Sequence, residues 1–175
     1  KFNRYGFTEN ELLKIGKIRN FSLLHYHISS QIERIDGLVR PLKRALELYA
    51  KLREKNPELD TLDIGGGAGV PYTKKKPFYT VKSLTRCLIR AAKDTCDTLN
   101  VKHPNLIVEW GRYVAAPAQI TIYKILADKS VENKGGNKWY VIDGSFMNDL
   151  IDTWAIHQKW HVVPVNCMKT KKLHK

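Results

Sequence analysis

The residues best suited to chemistry fall in three short runs. His25, His27 and Ser30 form the first, Gly65, Gly66 and Gly67 the second, and Glu109, Gly111 and Arg112 the third. His25 and His27 are two apart, so on a strand they share a face. With an acid they could ligate a metal such as zinc. One packed and one hydrogen-bonded imidazole is the commoner arrangement, and an imidazole stacked flat on a heteroaromatic ring is a third. Gly65-Gly66-Gly67-Ala68-Gly69 does not fit G-x-G-x-x-G, and no Gly-Lys-Ser/Thr follows, so neither the dinucleotide fingerprint nor the P-loop is present. The run can still turn several backbone N–H groups toward a phosphate; a plain tight turn is the even alternative. The Arg112 fork and the Ser30 hydroxyl suit phosphate oxygens and tilt the balance that way. Glu109 closes the apolar run Leu106-Ile107-Val108, so its carboxylate is expected to be partly buried beside Arg112. It could serve as a plain ion pair or accept from a ring N–H. His103, His157, His161 and His174 have no such context and read as structural or exposed.

These runs need elements to position them. Thr8-Glu9-Asn10-Glu11 has the form of a capping box, and Leu12, Leu13, Ile15 and Ile18 then give a short helix. Phe21–Ile28 reads as a buried strand. Leu38, Leu42, Leu46, Leu48, Tyr49 and Leu52 carry helical spacing over 36–55. Thr61–Ile64 is a short strand running into the glycines. Val81–Leu99 is a helix with Leu84, Leu88, Ile89, Ala92 and Leu99 as its apolar stripe, and Leu106–Val108 is a third strand. Strand–helix–strand–helix–strand is an α/β pattern with parallel pairing. Each chemical run then lies at the carboxyl end of a strand, where ligands bind in such sheets. Past about residue 116 the pattern turns to β, with strands expected at Ile120–Leu126, Trp139–Ile142 and Trp160–Val163. A polar 128–138 connection containing Gly135-Gly136 joins the first two.

The chain has 175 residues, 43% hydrophobic, so a packed core is expected. No apolar run reaches the ~18 residues of a membrane span, and the chain opens without a secretory signal. Three cysteines, Cys87, Cys96 and Cys167, lack zinc spacing and point to a reducing compartment. No role is assigned to them. The net charge of +13 and pI near 9.7 invite a nucleic-acid reading. The distribution weakens it: residues 1–115 hold 21 basic and 12 acidic side chains, residues 116–168 five of each, and Lys169, Lys171, Lys172 and Lys175 close the chain. Lys74-Lys75-Lys76 is expected in a loop and is of the same solvated kind, and the aromatics are not interleaved with these runs as stacking platforms would be. Neither nucleic acid nor a membrane is expected as a partner.

Together, Leu24-His-Tyr-His-Ile-Ser-Ser-Gln31, Asp63-Ile-Gly-Gly-Gly67 and Glu109-Trp-Gly-Arg112 resemble the motifs of the alanine-racemase-like (fold-type III) PLP-dependent decarboxylases, in order and spacing. Lys1-Phe2 resembles that family's Lys-Phe-Gly segment. Ser145-Phe146, Asp152-Thr-Trp154-Ala-Ile156 and Val163-Pro-Val165 bring the resemblance nearer to its biosynthetic arginine decarboxylases. The resemblance implies the C-terminal part of a PLP-binding TIM-like (β/α)8 barrel over 1–116, the start of a β-sandwich domain over 117–167, and a basic tail over 168–175. It implies pyridoxal 5′-phosphate as cofactor. His27 would stack on the ring and be the residue in touch with the reacting group. Ser30, Gly65, Gly66, Gly67 and Arg112 would hold the 5′-phosphate, Gly111 would allow close approach, and Glu109 would meet the ring nitrogen. Decarboxylation leaves electrons on Cα, and a protonated pyridine held by an anionic carboxylate draws them away.

Ser29 stands where the family has Gly, and Trp110 where it has Pro or Ser; Trp110 is expected to narrow the pocket. The family's Schiff-base lysine lies upstream of anything resembling Lys1, and its cysteine-containing substrate motif and late cofactor-contacting tyrosine find no match. A closed barrel takes ~250 residues. The resemblance therefore implies an internal segment of a larger enzyme, expected to be inactive when isolated. The implied reaction is L-arginine to agmatine and CO2, for polyamine synthesis in the cytoplasm, by a homodimer or higher oligomer, with magnesium dependence as a further implication. Diaminopimelate, ornithine and carboxynorspermidine decarboxylases share the motifs. A metal-dependent barrel hydrolase built on His25 and His27, and a non-catalytic homologue, are the readings from other classes.

Overall fold

Thr8 opens the first helix as its pattern predicts. Its hydroxyl accepts from the Glu11 N–H at 3.3 Å, while the Glu11 carboxylate accepts from the Thr8 N–H at 2.7 Å. The helix α1 (Glu9–Ile15) stops at Gly16, whose φ of +76° disfavours a side chain. Ile18 consequently lies outside the helix, and its N–H donates to Asn56 Oδ1 at 2.8 Å. In this computed structural model, residues 5–73, 78–130 and 138–166 are described. They form two compact units, one from 5–70 with 78–117, the other from 71–73 with 118–130 and 138–166.

In the first unit three parallel strands, β1 (Leu23–His25), β2 (Thr61–Asp63) and β3 (Asn105–Ile107), lie in the order β1-β2-β3. Two 19-residue helices make the crossovers, α2 (Ile35–Arg53) and α3 (Val81–Leu99). Leu24 pairs with Leu62, and Leu62 with Leu106, so these leucines share one face. That face belongs to a core with Leu38, Leu42, Leu46, Tyr49 and Leu52 of α2 and Leu84, Leu88 and Cys96 of α3. Fully burying one such leucine contributes about 1.5–3 kcal/mol.

Several boundaries differ from the sequence expectation. The helix expected over 36–55 begins at Ile35, which packs against the core, and ends at Arg53. Asn56, which sequence reasoning passed over, closes that end: its buried amide donates to Gly16 O at 3.0 Å and Leu52 O at 2.8 Å. On α3 the expected range holds, with Thr80 and Ser83 forming the cap. Its buried stripe is Leu84, Leu88, Ala91, Ala92 and Cys96; Ile89 and Leu99 are exposed. Ile89 follows Leu88 by one residue, about 100° round the helix, which carries it off the core face. The long first strand shrinks to Leu23–His25, because beyond His25 the chain leaves the sheet to meet the glycine loop.

In the second unit, β4 (Ile125–Ser130) and β5 (Lys138–Ile142) form an antiparallel hairpin. The expected strand at Ile120–Leu126 exists only from Ile125. Asp143 closes the pair there, its carboxylate accepting from the Lys124 N–H at 2.8 Å while its own N–H donates to Lys124 O at 3.1 Å. Asp128 and Lys138 form an ion pair across the hairpin. Gly135-Gly136 falls outside the described residues, as do Lys1-Phe2, Lys74–Lys76 and the 168–175 tail. Trp160–Val163 is not a strand: the Trp160 indole donates to Thr153 Oγ1 at 2.8 Å and its ring lies 4.6 Å from that of Tyr72. Among the described residues no helix is long and apolar enough to cross a membrane.

Candidate functional site

The register that buries the leucines sends their neighbours to the other face of the sheet. His25 and Asp63 are direct partners across β1 and β2. Asp63 is 9% exposed and uses both oxygens: Oδ1 accepts from the Gly65 N–H at 2.9 Å, and Oδ2 lies 3.1 Å from His25 Nδ1. The third strand end is tied in through the backbone, where the Glu109 N–H donates to Gly65 O at 3.0 Å. One donor atom each of His25, Asp63 and Glu109 lie within 4.8 Å of one another.

His27 goes elsewhere. Its Nδ1 accepts from the Gly66 N–H at 3.2 Å. A backbone N–H can only donate, so the ring hydrogen sits on Nε2. The reading of His25 and His27 as a shared metal pair is therefore corrected. They lie on one strand end, but each is committed to a different partner, and the group near enough to share an ion contains His25 without His27. β1 ends at His25, so the two-residue spacing no longer enforces a common face at His27.

The glycine loop lies hard against the chain that follows β1. A Cβ at Gly65, where φ is +64°, would fall 2.4 Å from Tyr26 O; one at Gly67, where φ is +111°, would fall 2.8 Å from Ser29 O. A Cβ at Gly66 would stand 3.1 Å from Glu109 O and 3.2 Å from His27 Cε1. These glycines thus permit close backbone approach. Two residues with no role assigned in the sequence reading stitch the loop in place. The buried Tyr79 hydroxyl accepts from the Gly69 N–H at 2.6 Å and donates to Ile32 O at 2.7 Å. Gln31 exchanges hydrogen bonds with Val70, at 2.9 and 2.8 Å. Burial pushes the Tyr79 phenol above its ordinary range. The same effect, stronger, acts on Tyr26.

The remaining sequence candidates stand as follows. Ser30 is exposed, one residue before Gln31. Gly111 and Arg112 open the short helix α4 (Gly111–Ala115), with Arg112 half-buried. A Cβ at Gly111 would meet no protein atom within 4 Å. Glu109 is exposed rather than partly buried, because β3 is an edge strand in this sheet. Trp110 packs against the hydrophobic core, and its buried Nε1 finds no hydrogen-bond partner among the described residues. The expectation that it narrows a pocket gives way to a packing role. Cys96 is a core residue and Cys87 an exposed free thiol.

The segments that follow three neighbouring strands carry an imidazole, a hydroxyl, a guanidinium and a carboxylate, beside a glycine loop whose Gly65, Gly66 and Gly69 N–H groups are bonded within the protein. The family described as "Pyridoxal-dependent decarboxylase, pyridoxal binding domain" matches residues 2–116. The chain belongs to this family. Among its relatives, the biosynthetic arginine decarboxylase of Prochlorococcus marinus (strain AS9601) is 30% identical over 133 residues, covering 73% of this chain and 20% of the relative. Diaminopimelate decarboxylase of Methanocaldococcus jannaschii is 31% identical over 144 residues, covering 82% of this chain and 31% of the relative. In fold, the chain is similar to the crystal structure of diaminopimelate decarboxylase from Helicobacter pylori complexed with L-lysine. The TM-score is 0.72 at 23% identity, over 92% of this chain and 39% of that one. The chain thus spans a fifth to two fifths of these decarboxylases, and its α/β unit corresponds to part of their pyridoxal-binding barrel.

Proposed function

We propose that the three strand ends hold pyridoxal 5′-phosphate in a decarboxylase of basic amino acids. The observation that carries this is the glycine loop, whose backbone closes on the His27 segment where no side chain fits, while space is open at Gly111 among the described residues. Phosphate would lie against the Gly65, Gly66 and Gly67 turn, where the Gly65 and Gly66 N–H groups already serve Asp63 and His27, and be held by the Ser30 hydroxyl and the Arg112 fork. His27, its hydrogen on Nε2, would face the ring. Glu109 would accept from the ring nitrogen and hold the proton there. When bound, the cofactor supplies the sink for the electron pair left by departing CO2. This chain's residues bind it, orient it and fix the charge at its nitrogen.

For the substrate we infer L-arginine, giving agmatine, from the motif resemblance that extends through Ser145-Phe146 and Asp152–Ile156. Diaminopimelate is the second reading, favoured by a relative of that name at 31% identity over a longer stretch. The family description names pyridoxal and no metal, so magnesium drops out of the proposal. A cytoplasmic location and a homo-oligomer complete it, the first resting on the unpaired cysteines. The test is CO2 release by the full-length protein loaded with pyridoxal phosphate, offered L-arginine, meso-diaminopimelate and L-ornithine in turn. Turnover of arginine alone is expected. Turnover of diaminopimelate instead moves the assignment to the second reading, and failure to bind the cofactor overturns both.

A further inference from the structure

Gln31 bends the chain directly after Ser30. Its φ is +54°, a left-handed conformation that residues with a Cβ rarely adopt. Such a bend persists where the surroundings hold it, and here the side chain of the same residue supplies the hold. Gln31 Nε2 donates to Val70 O at 2.9 Å, and its Oε1 accepts from the Val70 N–H at 2.8 Å. The amide thus pairs with both backbone groups of one buried residue, as a neighbouring strand would. The next residue continues the attachment: the Ile32 N–H donates to Gly67 O at 2.9 Å, and Ile32 pairs with Ala68 in a parallel bridge. On the other side of Ser30, His27 accepts from the Gly66 N–H. Ser30 therefore sits, exposed, between two attachments to the glycine loop, and the nearer of them begins at the adjacent Gln31.

From this we propose that Gln31 is a positioning residue for the Ser30 hydroxyl: its amide, paired with Val70, fixes the bend that holds Ser30 in register with the glycine loop. The inference rests on the reading of Ser30 as a phosphate ligand. Gln31 acts through that serine and is given no contact with the phosphate. Removing the amide takes these partners from the backbone N–H and carbonyl of Val70, which is 6% exposed, and takes the brace from a left-handed backbone. The serine next to it then has a wider range of positions. Hydrogen bonds from a hydroxyl to oxygen span about 2.5–3.0 Å, so a shift of about 1 Å in Ser30 breaks its bond to a phosphate oxygen. The ring end of the site, assigned to His27 and Glu109, does not depend on this bend.

The experiment compares two ligands on the full-length protein, pyridoxal 5′-phosphate and pyridoxal, which lacks the phosphate. Binding is followed by quenching of intrinsic fluorescence. Gln31→Met keeps the length of the side chain and loses both bonds to Val70. It is expected to weaken pyridoxal 5′-phosphate by about tenfold, the share of one hydrogen bond to a charged group, and to leave pyridoxal within about twofold. Ser30→Ala is expected to do the same. The variant carrying both changes is expected to stay within about twofold of Ser30→Ala, because a residue that acts through Ser30 then has nothing left to position. Gln31→Gly, which adopts the left-handed backbone freely, carries the same comparison should Gln31→Met fail to fold. Equal weakening of both ligands, weakening of neither, or losses that multiply in the double variant overturn the proposal, since a merely structural role does not act through one hydroxyl. Ser30→Ala that binds pyridoxal 5′-phosphate as tightly as the wild type overturns the serine reading beneath it. A wild-type protein that binds neither ligand overturns the cofactor reading itself, an outcome separable from the others.

Discussion

Gly111→Ala separates folding from ligand binding more cleanly than any other change at the site. Beyond its chain neighbours and its own helix backbone, a methyl group at this position meets no atom of the described residues within 4 Å, so these give no steric reason to resist it. Gly111 is also the first residue of α4, where alanine is the better helix former by at most about 1 kcal/mol. Stability should therefore hold or rise slightly. If the open space is where the phosphate group is approached, the same methyl intrudes on the ligand. Overfilling a fitted space costs about 1–3 kcal/mol, which corresponds to roughly a five- to hundredfold loss of affinity at 1.4 kcal/mol per decade. Urea denaturation without cofactor and titration with pyridoxal phosphate read the two quantities independently. An unchanged urea midpoint with weakened binding is the expected result. Unchanged binding would refute the placement of Gly111 beside the cofactor, and a fall in the midpoint would refute the steric reasoning.

Gly65→Ala should behave in the opposite way: a left-handed φ and a 2.4 Å approach to Tyr26 O predict a stability loss of about 2–4 kcal/mol, visible in urea before any ligand is added. Tyr79→Phe leaves the Gly69 N–H and the Ile32 carbonyl without their bridge, at about 1–3 kcal/mol by the same assay. Burial raises the phenols of Tyr26, Tyr49 and Tyr79 above their ordinary value near 10. Their unfolded forms ionise first, so stability is intact below about pH 10 and is lost as pH climbs toward the folded values. Midpoints measured from pH 9 to 12 should fall, and Tyr26→Phe should flatten the fall; a flat wild-type profile would contradict the burial argument.

What the sequence made legible, and what it did not, follows from how far each property reaches along the chain. Helix α3 was readable end to end because its cap, Thr80 with Ser83, and its leucine spacing are local. The strand ends were readable because apolar runs stop at polar residues. Partnerships across strands are another matter. That Asp63 serves both Gly65 and His25 depends on the register of β1 against β2, which no single segment encodes. Tyr79 and Asn56 carry no motif. Each is an ordinary polar residue until the fold brings it to a backbone group 40 to 47 positions away, as Tyr79 meets Ile32 and Asn56 meets Gly16. Ile120 and Ile122 mislead for the converse reason: alternation alone reads as a strand, but a strand needs a neighbour, and the hairpin pairing begins only at Ile125. The residues proposed to meet a ligand are chosen from type and position alone. The residues that hold them in place are not, since their signal lies in long-range geometry. The same division explains why Glu109 reads as a strand-end carboxylate but was expected to be partly buried: its type is local, whereas its exposure depends on what stands beside the edge of the sheet.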